Sequence, residues 1–110
     1  MSKTIDYYAS LASPWTYMGH KRLCDLAEEY KATVHFKPVN FGAIFSVTGG
    51  LPLAKRAPER QKYRFAELKR WRKELDLPLN LEPKYFPVDP EIASLMCIAL
   101  ANTGKSPLKL

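Results

Sequence analysis

Residues 5–20 read IDYYASLASPWTYMGH, and this stretch decides the fold. The segment Thr4–Ala9 is rich in β-branched and aromatic residues, which favour a buried strand. Ser13 is a good helix N-cap and Pro14 a good first helical residue, and a helical pattern continues to about Tyr30. A hydroxyl on the first turn of a helix, where a strand has just ended, favours a bound anion or thiolate. Ser13 is therefore the candidate reactive residue, and a helix cap with no further role is the alternative.

The following residues predict a second strand and more helices. Alternation over 33–39 is typical of a strand, and a strand–helix–strand unit nearly always places its two strands in parallel. Farther on, the pattern predicts a short helical turn over 40–47, a loop over 48–52, a helix over 58–75 and a last helix beginning at Asp89-Pro90. Helical spacing predicts two inner faces: Leu23, Leu26, Ala27 and Tyr30 on the first helix, and Phe65, Leu68, Trp71 and Leu75 on the long helix.

Composition is that of one ordinary globular domain. The 110 residues are 46% hydrophobic and 25% charged, which excludes a disordered chain. No signal peptide and no apolar run long enough to span a bilayer is visible, so we expect a cytoplasmic protein without membrane contact. Cys24 and Cys97 lie in apolar helical patterns, outside any Cys-x-x-Cys or zinc spacing, and are expected to be buried reduced thiols. A disulfide between them is the open alternative, because sequence gives no distance.

Positive charge is concentrated in one segment. Nine basic residues and two acidic residues lie between Leu53 and Lys73, in a chain of net charge +6. Such a segment is typical of a solvated basic face, an anion-binding surface or a nucleic-acid-binding helix. No nucleic-acid-binding motif accompanies the charge, so nucleic acid is not the expected partner. His20 and His35 have no carboxylate at useful spacing and are expected to be structural or exposed, and no metal site is predicted.

Two blocks of the sequence carry a family resemblance. Residues 6–19 resemble the opening of the 2-hydroxychromene-2-carboxylate isomerases, which belong with the kappa-class glutathione transferases in the DsbA-like branch of the thioredoxin fold. The TGGLP loop at 48–52, RWR at 70–72 and LPL at 77–79 resemble the helical insertion of that family. The resemblance implies an α/β, thioredoxin-like β-α-β unit over residues 1–40 and a helical insertion region over 41–110. It covers the amino-terminal half of the family's length, so the carboxy-terminal half of the fold, with its further strands and cis-proline loop, is expected to be absent.

The resemblance also implies a chemistry. Ser13 matches the family's catalytic serine and replaces the first cysteine of the redox members, so Ser-Pro-Trp-Thr at 13–16 has no thiol for dithiol exchange. Arg60 matches a basic residue that contacts glutathione, and Gly50 falls where many members have a glutathione-binding asparagine. These matches imply an isomerase in which Ser13 stabilises the thiolate of glutathione, its cofactor, as that thiolate adds reversibly to a conjugated aromatic carboxylate.

The implied assembly is a homodimer. Two alternatives to the isomerase stay open at this point. One is a kappa-type glutathione transferase. The other is a truncated, non-catalytic fragment that binds glutathione or a protein partner.

Overall fold

The computed structural model describes residues 2–109. Its elements are β1 (Lys3–Ala9), α1 (Pro14–Glu29), β2 (Ala32–Pro38), α2 (Phe41–Thr48), a single 3-10 turn (Leu53–Lys55), α3 (Pro58–Glu74) and α4 (Glu91–Asn102). The chain forms two compact units, one of Met1–Val39 with Pro87–Leu110 and the other of Asn40–Phe86. No helix within residues 2–109 combines the length and the apolar character needed to cross a bilayer.

The first unit is built on a parallel pair of strands. β1 pairs with β2 in a register that runs from Lys3 opposite Ala32 to Ala9 opposite Pro38. The Val39 backbone N–H donates to the Ala9 carbonyl at 3.0 Å and extends the ladder beyond the carboxyl end of β2. These two strands make up the whole sheet within the described residues. The predicted parallel β-α-β unit is therefore confirmed.

The core of this unit is small and includes α4. Ala9, Phe36 and Cys97 are buried together, with Tyr7 and Leu108 packed against them. α4 supplies Cys97 and so packs on β2. The predicted division after residue 40 placed 87–110 in the helical insertion, whereas the structure groups these residues with the strands, because Cys97 completes the apolar cluster around Phe36.

His20 joins α1 to the end of the chain. Its Nε2 lies 2.8 Å from the Leu108 carbonyl oxygen. A carbonyl can only accept, so Nε2 carries the hydrogen and donates it. The Tyr7 ring stacks on the imidazole at 6.0 Å, and Cys24 Sγ lies 3.6 Å from the same Nε2. His20 thus has a structural role, with a partner 88 residues away.

Both cysteines are free thiols in the structure. Cys97 is buried and Cys24 is half-buried. Burial raises the pKa of the Cys97 thiol, which keeps it neutral at physiological pH.

The predicted inner face of α1 is only partly right. Ala27 and Met18 are buried, but Leu26 is exposed and Tyr30 is 58% exposed. A sheet of two strands covers a narrow strip of a helix, so the outer part of the apolar face has no partner in this unit. Leu26 and Tyr30 instead line a shallow depression beside the amino ends of the strands, together with Lys3, Thr4, Ile5 and Ala32.

α4 begins later than the sequence predicts. Pro90 occupies the N-cap without a side-chain cap, and the helix starts at Glu91. The predicted cap residue, Asp89, instead accepts the Glu91 backbone N–H through Oδ1 at 3.0 Å, so its carboxylate still satisfies one unpaired donor of the first turn. Apart from the buried Cys97, α4 exposes most of its large apolar side chains to solvent, and Ile92 is 77% exposed.

The predicted inner face of α3 is only partly right. Leu68 is buried as expected and Leu75 is half-buried, whereas Phe65 and Trp71 are exposed, each close to 40%. The half-buried residues of α3 on the side of Leu68 are polar or charged: Gln61, Arg64 and Arg72. The predicted stripe is therefore right for Leu68 and Leu75 and wrong for Phe65 and Trp71, and arginines share the covered side with Leu68.

Candidate functional site

The turn between β1 and α1 is held by two serines. Ser10 is buried, and its Oγ accepts the Ala12 backbone N–H at 3.3 Å. The Ser13 backbone N–H donates to the Ser10 carbonyl at 3.2 Å. The turn therefore fixes the start of α1 directly beyond the carboxyl end of β1, the edge at which sites form on open α/β sheets.

Ser13 is the N-cap of α1, as predicted. Its backbone is extended (φ −88°, ψ 123°), and its Oγ accepts the Thr16 backbone N–H at 3.3 Å. Capping occupies a lone pair of the hydroxyl and leaves its hydrogen unused. Among residues 2–109, no acceptor lies within hydrogen-bond distance to take that hydrogen. Since Ser13 is only half-buried, its O–H is free to donate to a ligand.

The electrostatic environment of Ser13 favours a negative atom. α1 has 16 residues and carries no acidic residue in its first turn. The positive end of its dipole therefore acts at Ser13 without an opposing carboxylate. Cys24, the thiol of this helix, lies about 16 Å farther along the axis at 1.5 Å per residue. Cys97, the other thiol, packs against Ala9, but burial raises its pKa and keeps it neutral. The electrostatic environment of Ser13 therefore suits an anionic sulfur that a ligand supplies.

Apolar side chains accompany the cap. Leu11 precedes Ser13 in the turn, and Trp15 and Tyr17 follow it in the first turn of α1. All three are exposed. Aromatic and aliphatic surface of this kind suits contact with an apolar or aromatic ligand.

The other two predicted residues lie in the second unit. Gly50 follows Gly49, which ends α2 in the left-handed region at φ 78°. Arg60 lies in the first turn of α3 and is exposed. Ser13 belongs to the first unit, so the grouping of these three residues around one ligand stays a prediction.

Gly50 has no room for a side chain. A Cβ at this position would lie 2.5 Å from Cδ1 and 3.0 Å from Cγ of the Phe45 ring. The Phe45 ring is itself stacked on Phe41 at 5.7 Å, with the two planes 5° apart. An asparagine, which the resemblance leads one to expect here, would displace this ring. Gly50 therefore offers a ligand only its backbone N–H and carbonyl.

We expect Gly50→Ala to lower the free energy of unfolding by about 1–3 kcal/mol, because overpacking forces Phe45 out of its place. Urea denaturation followed by circular dichroism measures this. Gly19→Ala is the matched control, since a Cβ there meets nothing within 4 Å. Gly19 lies inside α1, so that change should stabilise by up to about 1 kcal/mol. Equal midpoints for Gly50→Ala and the unmodified chain would contradict the packing at Gly50.

Arg56 has a position that the sequence did not reveal. Its Nε donates to the Leu51 carbonyl at 2.9 Å and so holds the loop that follows Gly50. The Gln61 side-chain amide donates to the Arg56 carbonyl at 2.8 Å. In the sequence, Arg56 is one of nine basic residues in its segment, and no periodic signal distinguishes it from the others.

Comparison with known proteins places these features in a family. The profile described as the DSBA-like thioredoxin domain matches residues 4–108. A solved structure of selenomethionine 2-hydroxychromene-2-carboxylate isomerase (HCCA isomerase) aligns with a TM-score of 0.59 at 21% identity, over 94% of this chain and 59% of that chain. The predicted thioredoxin-like, DsbA-like α/β fold is thereby confirmed.

Two curated relatives share a name. The 2-hydroxychromene-2-carboxylate isomerase of Sphingobium xenophagum is 27% identical over 106 residues, which are 96% of this chain and 52% of the relative. The protein of the same name from Pseudomonas putida is 24% identical over 82 residues, 74% of this chain and 40% of the relative. The chain spans about half the length of the curated relatives it matches.

Proposed function

The chain belongs to the DSBA-like thioredoxin domain family, and from this premise we propose that it acts as a glutathione-dependent isomerase on a conjugated aromatic carboxylate. The observation that carries the proposal is the Ser13 hydroxyl. It caps α1 through a lone pair, keeps its hydrogen unused and lies at the positive end of a helix without acidic residues in its first turn. The names of the two curated relatives support the isomerase class.

The residues around Ser13 fit the sulfur of glutathione. When bound, glutathione would supply a thiolate for reversible conjugate addition, which converts the substrate's C=C bond to a rotatable single bond until elimination of the thiolate restores it. A thiol of this kind has a pKa of about 8.5 and is mostly protonated at pH 7. A hydrogen bond from Ser13 to the charged sulfur is worth roughly 1.5–3 kcal/mol, which corresponds to about one or two pKa units. Ser13 and the α1 dipole therefore make the reactive thiolate abundant at neutral pH.

Ser13 acts as a hydrogen-bond donor in this proposal and not as a nucleophile. A serine that attacks substrate needs a base that removes its proton. Within residues 2–109, the Ser13 hydroxyl accepts a hydrogen bond from the Thr16 backbone N–H, and it forms no hydrogen bond with a histidine, a lysine or a carboxylate. Stabilising a sulfur anion requires no such base.

In the second unit, Arg60 and the Gly50 backbone are the further glutathione contacts that the family resemblance implies. Arg60 is exposed and forms no ion pair within the described residues, so its guanidinium is available for a carboxylate of the tripeptide. The homodimer stays a prediction. The apolar side chains that α4 exposes, with Ile92, Leu95 and Met96 in the first turns, support it.

The direct test is an isomerisation assay on the 110-residue chain, with 2-hydroxychromene-2-carboxylate as substrate and with or without glutathione. We expect acceleration only when both protein and glutathione are present. Equal rates with and without glutathione would overturn the thiolate mechanism. Saturable glutathione binding without turnover would instead identify the chain as a non-catalytic glutathione-binding fragment.

A further inference from the structure

A charged residue lies on the inner face of α3. Arg64 is one turn after Gln61 and one turn before the buried Leu68, and all three share one side of the helix. That position normally belongs to an apolar residue, because a charge taken from water without a partner costs free energy. Arg64 is half-buried there, with its guanidinium carbon 5.8 Å from the centre of the Phe86 ring. The aromatic face holds the guanidinium in place without neutralising its charge.

Arg56 lies beside this face. The Gln61 amide binds the Arg56 carbonyl at 2.8 Å, and the Arg56 Nε binds the Leu51 carbonyl at 2.9 Å. The first bond holds the Arg56 backbone against the first turn of α3, one turn before Arg64, and the second restrains the Arg56 side chain. Burial and the positive charge of Arg56 together lower the pKa of Arg64, as expected for two neighbouring cations. The Nη donors of Arg56 are not used by the Leu51 contact.

No carboxylate of the described residues forms an ion pair with Arg56 or Arg64. The ion pairs recorded within residues 2–109 are Lys21 with Asp25 and Lys37 with Asp6, and none involves α3 or the loop before it. Two half-buried guanidiniums without a counterion repel each other and lose hydration. A bound anion relieves both costs.

We propose that Arg56 and Arg64 form a binding site for a carboxylate group of the ligand, separate from the contact assigned to Arg60. A planar carboxylate matches the fork of guanidinium donors, and two such forks select it over a neutral group. The ligand's identity rests on the proposed function, which offers two sources of this chemistry: glutathione, with its two carboxylates, and the aromatic acid that is isomerised.

The experiment is isothermal titration of the full 110-residue chain with two probes, glutathione and benzoate. Arg56→Gln and Arg64→Gln are each expected to weaken the dissociation constant for the bound probe about tenfold to a hundredfold, since each removes a charge-assisted hydrogen-bonding group. Arg64→Lys should recover part of the loss, because it keeps the charge but not the fork. Arg70→Gln, an exposed cation on the same helix, is the matched control and should bind both probes as the unmodified chain does.

The two probes separate the sources. If Arg56→Gln and Arg64→Gln weaken the binding of benzoate alone, the two arginines bind the aromatic acid. If they weaken the binding of glutathione alone, the two arginines bind the tripeptide. The proposal is overturned if the dissociation constants for both probes are unchanged in Arg56→Gln and Arg64→Gln. It is also overturned if Arg70→Gln loses as much affinity as these variants, or if the unmodified chain binds neither probe. Arginine-dependent benzoate binding without glutathione-dependent isomerisation would refute the proposed function and leave the carboxylate site standing.

Discussion

Replacing Ser13 by alanine is expected to lower the thiolate fraction of bound glutathione about tenfold at pH 7. The hydroxyl is the donor available to the sulfur, and its loss returns the pKa of the bound thiol toward about 8.5. Because the pKa of the bound thiol rises, a higher pH is needed to form the same fraction of thiolate, and the titration curve of the complex moves to higher pH. Ultraviolet absorbance of the thiolate, recorded across pH at saturating glutathione, measures the shift. The isomerisation rate at pH 7 should fall by a similar factor.

Ser13→Ala also removes the cap of α1, which by itself costs about 1 kcal/mol of stability. Ser13→Asp separates the two effects. Aspartate is among the best N-caps and should keep the Thr16 contact, so the urea midpoint should hold or rise. Its carboxylate donates no hydrogen bond and repels an anionic sulfur. Stability should therefore persist while the thiolate disappears. A thiolate signal that survives in both variants would remove Ser13 from the mechanism.

The sequence predicted the parts of the fold that depend on local chemistry. Ser13 and Pro14 determine where α1 begins, because the cap and the first helical residue act within one turn. The alternating residues of β2 and the glycines after α2 likewise specify their own conformations. Ser13 could be identified for the same reason, since its hydroxyl, its strand and its helix are contiguous.

Features that depend on partners far apart in the sequence could not be predicted from the sequence. His20 has its acceptor at Leu108, and nothing in the residues around either one indicates this pairing. The inner face of α3 was predicted from apolar spacing, yet Arg64 lies on the side of Leu68, because the loop before α3 and Phe86 decide which side is covered. Periodicity describes what a helix could bury, whereas the partners present decide what it does bury.

The same argument explains the exposed apolar residues of the first unit. Tyr30 and Ile92 have the character of core residues, but two strands and two helices provide too little surface to cover them. The unit therefore depends on a few buried contacts, and each of these contributes a large share of its stability. A change at the centre of the cluster should have a correspondingly large effect.

Phe36→Ala is expected to lower the free energy of unfolding by about 3–5 kcal/mol. Phe36 is the largest side chain of the buried cluster, and its ring packs on Tyr7 at 5.2 Å and beside Ala9 and Cys97. Globular domains have only about 5–15 kcal/mol in total, so much of this unit's stability should be lost. Urea denaturation gives the change, and faster amide exchange in β1, β2 and α4 locates it.

His35→Ala is the matched control for this prediction. His35 precedes Phe36 in β2, is exposed and points to the opposite face of the strand. Its removal should change stability by no more than about 0.5 kcal/mol. Equal losses for the two variants would mean that β2 contributes through its backbone ladder alone. In that case the cluster around Phe36 is not what holds α4 against the strands, and the grouping of α4 with the β-α-β unit would need another physical cause.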